Sequence, residues 1–177
     1  ILSRMRKGRK TVVGHWQDPK TLERIAVWQR VAAGWADSQD MRIIRFGDQM
    51  NNVAVTDGDK VEAEIRFGFH VDYVPFSEVM TYFEKVEDKA VDELVAVYFN
   101  EYDHAPELED KSTEAYRKVW NSAKAELTLR AVLEAYGAKA FTSNFDDLGD
   151  VNVEQTGKGF DQIPGLASQR LMADGYG

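Results

Sequence analysis

An apolar run that stops at a glycine constrains this chain most. Residues 41–46 read Met-Arg-Ile-Ile-Arg-Phe and end at Gly47. Asp48, Gln49 and Met50 follow, and further on comes the turn Asp57-Gly58-Asp59. A short apolar run bounded by turn residues is the sequence signature of a buried strand. Such a strand hands its loop to the carboxyl-end rim of a parallel sheet, where open α/β folds bind their ligands.

Hydrophobic periodicity arranges the other elements around that strand. Residues 10–15, with Val12 and Val13, read as a strand. Asp18 then caps a helix that starts at Pro19, the position where proline is tolerated best. Leu22, Ile25, Ala26, Gln29, Ala32 and Ala33 recur at helical spacing and give it one apolar face. Asp59 opens a short helix with Val61 and Ile65 a turn apart, Glu62 and Arg66 as a pair, and Gly68 as its stop. Residues 69–74 form a third strand, closed by Pro75. Ser77 and Asp88 cap the next two helices, and Pro106 sits in a polar loop over 103–112. Residues 113–136 form the longest helix, ending at Gly137, and residues 139–144 a fourth strand. A long loop covers 146–162, and a last helix runs from Pro164 to Gly175. Alternation of this kind predicts an α/β fold, a doubly wound, mainly parallel sheet with helices on both faces. The domain boundary is expected near Ser38-Gln39-Asp40. Residues 1–40 are then the end of a preceding domain, and residues 41–177 an α/β domain.

Composition narrows the function. The net charge of -8 argues against a nucleic-acid partner, since phosphates call for a basic face. The basic cluster Arg4, Arg6, Lys7, Arg9 and Lys10 is short and terminal, and reads as a solvated end. There is no cysteine, which removes disulfides, thiolate metal sites and a cysteine nucleophile. No apolar run reaches the roughly 18 residues of a membrane span, and no signal peptide is visible. A cytoplasmic protein without a membrane partner fits these features. The chain starts at Ile1 and stops inside an apparent turn, as a piece excised from a longer protein would.

Two strand ends carry the candidate chemistry. One delivers Gly47, Asp48 and Met50, and the other Phe145, Asp146 and Asp147. In a parallel sheet both loops reach one rim and can line one cleft. The plainer alternative makes Met50 and Phe145 packing residues and the aspartates helix caps. His15, His70 and His104 lack the spacing of a metal site; His15, at the end of an expected strand, is the one worth testing. Asp57-Gly58-Asp59 fails as a calcium loop, because Val61 stands where a third oxygen ligand belongs. Gly157-Lys158-Gly159 is too short for a phosphate loop. Trp16, Trp28, Trp35 and Trp120 fall in or beside helices, where core packing is the expectation. No complete catalytic set is present.

Several motifs, in order, resemble L-arabinose isomerases. They are Gly14-His15-Trp16-Gln17-Asp18; Arg45-Phe46-Gly47-Asp48-Gln49-Met50 with residues 53–60; Phe67-Gly68-Phe69; Ala140-Phe141-Thr142 through Phe145-Asp146-Asp147-Leu148; and Pro164-Gly165-Leu166-Ala167-Ser168-Gln169-Arg170-Leu171-Met172. The resemblance covers nearly the whole chain. It implies an aldose–ketose isomerase that converts L-arabinose to L-ribulose, often D-galactose to D-tagatose as well. Such enzymes use a divalent metal, usually manganese, move a proton between C1 and C2 through an enediol, and assemble as tetramers or hexamers.

The resemblance also implies what this chain lacks. The family's catalytic glutamates and metal-binding histidines lie past the segment matched by Gly175-Tyr176-Gly177. No catalytic or metal residue, and no bound cofactor, is therefore expected in this fragment. Met50 and Phe145 carry over as the wall of the sugar pocket. Two departures stand out: Gln49 replaces a frequent asparagine, and Phe145-Asp146-Asp147-Leu148-Gly149 lacks the family's histidine and runs into an apparent insertion over 150–160. Alternatives are a non-catalytic sugar-binding or sensing module, and a metal-dependent enzyme built on Asp48, Asp146 and Asp147.

Overall fold

The computed structural model describes residues 3–50, 52–148 and 160–177, and leaves the side chain of Phe145 undescribed. It divides into two compact units, residues 1–40 and 41–177.

The first unit is dominated by α1 (Pro19–Ser38). Asp18 caps it by accepting from the Lys20 N–H at 3.2 Å and from the Thr21 hydroxyl at 2.8 Å. The strand expected over residues 10–15 is not formed. A strand needs a neighbour for its N–H and C=O groups, and none lies among the described residues of this unit. The expected packing of the tryptophans also fails here. Trp16, Trp28 and Trp35 are 72%, 50% and 54% exposed. Along α1, Leu22 and Ile25 also remain 50% and 38% exposed. The basic residues Arg4 to Lys10 are exposed, as expected.

The second unit is an α/β domain. Among the described residues its sheet has three parallel strands: β1 (Arg42–Phe46), β2 (His70–Val74) and β3 (Ala140–Ser143), in the order β2-β1-β3. β1 is central, pairing Ile44 with Asp72 on one side and with Phe141 on the other. The chain adds β2 on one side of β1 and then returns to add β3 on the opposite side. The gap between β1 and β3 is therefore the topological switch point, where the loops diverge. At the free edge of β3, the Gly177 N–H donates to Lys139 and the Gly177 carbonyl accepts from Phe141, the pattern of a further parallel pairing.

Helices cover the sheet unequally. α3 (Phe76–Phe83), α5 (Glu114–Tyr136) and α7 (Gly165–Ala173) bring Val79, Leu129, Leu133, Ala167 and Leu171 onto Ile44, Phe46 and Val74. Full burial of Ile44 and Phe46 contributes about 1.5–3 kcal/mol each. The other face carries Arg45 and Tyr73, with α2 (Lys60–Phe67) alongside. Asp59 caps α2 by accepting from the Glu62 N–H at 2.8 Å, and Gly68 ends it at φ 81°. Glu62 and Arg66 pair along it as the spacing predicts.

Three helix starts differ from expectation. Pro75, not Ser77, is the N-cap of α3, because Phe76 packs against buried Phe160 and draws the first turn in. α4 (Asp88–Glu101) begins at Asp88, with Glu87 before it. Residues 106–109, within the expected loop, make a short 3-10 turn. Thr113, expected as the first helical residue, is instead the N-cap of α5, and Gly137 closes the helix at φ 61° as expected. Trp120 does pack, donating to Asp92 at 3.0 Å.

One polar cluster lies inside this core. Glu126, 1% exposed, accepts from the Tyr98 hydroxyl at 2.6 Å, from Arg130 at 2.9 Å and from Arg170 at 3.0 Å. Arg170 also reaches Glu101 at 2.7 Å and the Tyr102 hydroxyl at 2.9 Å. Arg130 continues to Asp174 at 2.5 Å. The cluster ties α4, α5 and α7 together. Burial and the hydrogen bond to Glu126 push the Tyr98 hydroxyl far up. Burial alone disfavours the Arg170 charge, but its bonds to Glu101 and Tyr102 outweigh that and raise it further.

Candidate ligand site at the sheet rim

At the switch point lies a hollow of about 290 Å³, lined by Arg45, Asp48, Gln49, Met50, Thr56, Thr142, Ser143 and Asn144. The loop after β1 thus shares a cleft with the end of β3; Phe145, Asp146 and Asp147 are not among its described lining residues. Strand register explains the pairing of its walls: Arg45 lies opposite Thr142, and Phe46 opposite Ser143. A second hollow of about 210 Å³ shares Arg45 and Thr56 with the first and continues toward α2.

The loop after β1 is held at several points. Gly47 turns the chain at φ 77° and donates to the Val74 carbonyl at 3.0 Å. Asp48 accepts from Arg45 at 2.8 Å and from the Gln49 N–H at 2.9 Å. The Met50 N–H donates to the Thr56 hydroxyl at 3.0 Å. After β3, α6 (Phe145–Leu148) forms a single turn. Its cap is Asn144, whose Oδ1 accepts from the Asp147 N–H at 2.7 Å; the aspartates expected as caps lie inside the turn. Asp147 reaches back across the rim and accepts from the Asp48 N–H at 2.7 Å.

Met50 therefore lines the hollow. Phe145 opens α6 beside it, and its side chain lies outside the described residues. Gly157, Lys158, Gly159 and most of the apparent insertion lie outside them too. Asp48, Asp146 and Asp147 do not form a metal site. The first and third are engaged as above, Asp146 is exposed, and among the described residues no three His, Asp or Glu side chains converge to hold an ion. The residues present do not fit a resident manganese ion. His15 accepts from the Gln17 N–H at 3.2 Å, and the residues before it form no strand. His70 lies 3.3 Å from Glu64, and His104 2.8 Å from Glu109.

Sequence reasoning missed Arg45, Thr56, Thr142, Ser143 and Asn144 as lining residues. One signal was available: an arginine within Ile43-Ile44-Arg45-Phe46 interrupts a buried strand and so needs a reason. Arg45 Nε is the one buried side-chain nitrogen or oxygen without a hydrogen-bond partner among the described residues.

Comparison with known proteins decides the family. The sequence profile of the L-arabinose isomerase central domain matches residues 42–177, and that of the L-arabinose isomerase N-terminal domain matches residues 1–40. This chain belongs to the L-arabinose isomerase family. The L-arabinose isomerases of Phocaeicola vulgatus and Bacteroides thetaiotaomicron are each 70% identical to it over all 177 residues, which cover 34% of each relative. That of Flavobacterium johnsoniae is 46% identical over the same 177 residues, 33% of its length. The chain spans about a third of the length of the curated relatives it matches. Membership agrees with the parallel sheet and its surrounding helices. Among the described residues, no helix is long and apolar enough to cross a membrane.

Proposed function

We propose that this chain is the end of the N-terminal domain and the central domain of a longer, cytoplasmic L-arabinose isomerase, whose catalytic C-terminal domain lies in the rest of the protein. The enzyme interconverts L-arabinose and L-ribulose, and D-galactose and D-tagatose as a second pair. It works as a homo-oligomer, a tetramer or hexamer. The hollow at the switch point carries this reading. Its volume is at the small end of ligand sites, suited to a five- or six-carbon sugar. The hydroxyls of Thr56, Thr142 and Ser143 and the amides of Gln49 and Asn144 both donate and accept, as a polyol requires. Arg45 places a guanidinium charge at the wall of the hollow. Met50 supplies an apolar wall for the sugar's C–H face, and Phe145 is assigned the same role on the family resemblance alone.

This chain's part is to bind and orient. Asp48 and Asp147 fasten the rim loops, through Asp48 Oδ1 and Asp147 Oδ2. The acid–base groups and the ligands of the divalent metal, manganese, come from the rest of the enzyme. Residues after Gly177, if they continue its pairing, run along β3 toward the rim where the hollow opens.

The test is ketose formation from L-arabinose by the longer enzyme, with and without manganese, beside the isolated 177 residues. Metal-dependent turnover by the first and none by the second is expected. A folded, metal-loaded longer protein that binds the sugar without turnover supports a non-catalytic sugar-binding module instead.

A further inference from the structure

We propose that Asp147, which does not itself line the rim hollow, sets its sugar selectivity by clasping together the two loops that form its walls. The inference rests on the isomerase reading of that hollow. One wall is Arg45, Asp48, Gln49 and Met50, and the other is Thr142, Ser143 and Asn144. A single carboxylate oxygen joins them. Asp147 Oδ2 accepts from the Asp48 N–H at 2.7 Å and from the Asn144 amide at 2.7 Å. Asn144 reciprocates: its Oδ1 accepts from the Asp147 N–H, and its amide donates to the Asp48 carbonyl. Residues 99 positions apart in sequence are thereby locked at the floor of the cleft.

Gly47 is the other half of the clasp. A Cβ added there lies 2.3 Å from Asp147 Oδ2 and 2.6 Å from Asp147 Cβ, well inside contact distance. With φ at 77°, only glycine lets the β1 loop come close enough for Asp48 to donate. The loop is then pinned at both ends, by Asp147 at Asp48 and by Thr56 at Met50. Wall-to-wall width is fixed by this clasp. Width is what separates sugars that differ by one hydroxymethyl group, because such a group has to be admitted or refused at a wall. Asp147 is a positioning residue: it acts through Asp48 and Met50, not on the sugar.

The experiment measures kcat and KM for L-arabinose and D-galactose in the longer enzyme carrying Asp147→Ala, Asp147→Asn, Gly47→Ala or, as a remote control, Val91→Ala. Asp147→Ala should raise the KM for L-arabinose about tenfold while kcat changes less, the pattern of a displaced binding wall. Asp147→Asn retains an acceptor and should fall between Asp147→Ala and the unmodified enzyme. Gly47→Ala should move the D-galactose to L-arabinose ratio of kcat/KM in the same direction as Asp147→Ala. Val91→Ala should lower the melting temperature and leave both KM values alone. Unchanged KM and ratio in folded Asp147→Ala overturn the proposal, as does an equal change in Val91→Ala. Amide exchange separates the clasp from the reaction: in Asp147→Ala the Asp48 N–H should exchange much faster while Ile44 keeps its protection. If the unmodified enzyme turns over neither sugar, the isomerase reading and the selectivity role fail together, and exchange alone then decides whether the clasp exists. Unchanged Asp48 protection refutes it.

Discussion

Replacing Arg170 by methionine tests whether the buried charge cluster holds three helices together. Removing one partner of a buried ion pair costs about 3–5 kcal/mol when the other charge is left alone. Glu126 is not left alone, since Arg130 stays at 2.9 Å and the Tyr98 hydroxyl at 2.6 Å. About half the full penalty is therefore expected, roughly 2 kcal/mol. Methionine keeps an apolar stem over the Tyr98 and Tyr102 rings, which Arg170 covers at 4.8 and 5.5 Å, so packing loss adds little. For a domain of this size the melting temperature should fall by about 6–8 °C. Thermal melts followed by circular dichroism and calorimetry measure it. The double variant Arg170→Met, Glu126→Leu is the sharper arm. If the cost is an uncompensated buried charge, removing Glu126 as well should recover part of the loss. A shift under about 2 °C for Arg170→Met, or a double variant that falls by the sum of the two single changes, refutes the argument.

Three further outcomes are expected. His104 is held above its usual value of 6.5, first by its bond to the Tyr102 carbonyl and then by Glu109. Its contribution to stability is therefore complete below about pH 6.5 and is lost as pH rises through the raised value; His104→Gln should flatten that part of a urea-midpoint pH profile, and an unchanged slope counts against the contact. Thr113→Ala removes the cap of α5, where the Thr113 hydroxyl accepts from the Tyr116 N–H at 3.1 Å, and should cost about 1 kcal/mol by urea denaturation, with Thr113→Ser recovering most of it. In the longer enzyme, Arg45→Met and Met50→Ala should each raise the sugar KM or change sugar preference; KM values equal to those of the unmodified enzyme for both would remove the rim hollow from the reaction.

Much of the fold was legible because its signals are local. Asp18 and Asp59 cap helices where their side chains predict, and Gly68 and Gly137 stop them at positive φ. The run 41–46 became the central strand, with Ile44 and Phe46 alternating into the core and Arg42 and Arg45 left less buried. What failed depended on partners outside the local pattern. Val12 and Val13 have strand propensity, but propensity without a neighbouring edge makes no strand. Phe160 shows the same limit from the other direction. It was assigned to a loop, yet it is buried against Phe76 and Phe83 at ring distances of 5.9 and 5.7 Å, and it moves the start of α3. Glu126 was readable in part. It shares a helical stripe with Ser122, Leu129 and Leu133, and a carboxylate in a buried stripe demands cations.

The rim shows why the acidic residues there misled a purely chemical reading. A carboxylate at the end of a strand suits a base, a metal ligand or a fastener, and composition does not separate these. Hydrogen-bond bookkeeping does. A base or a ligand must keep a lone pair aimed into the cleft. Asp48 instead accepts from Arg45 and from the Gln49 backbone, and Asp147 from the Asp48 backbone and Asn144. Asp147 fastens the loop after β3 to the loop after β1, and Asp48 fastens its own loop through Oδ1. The groups lining the hollow are hydroxyls, amides, a guanidinium, a thioether and the Asp48 carboxylate, a set that can grip a polyol. On the isomerase reading proposed above, the proton-moving groups reach this wall from another part of the longer enzyme. The switch point between β1 and β3 is where they would have to meet it.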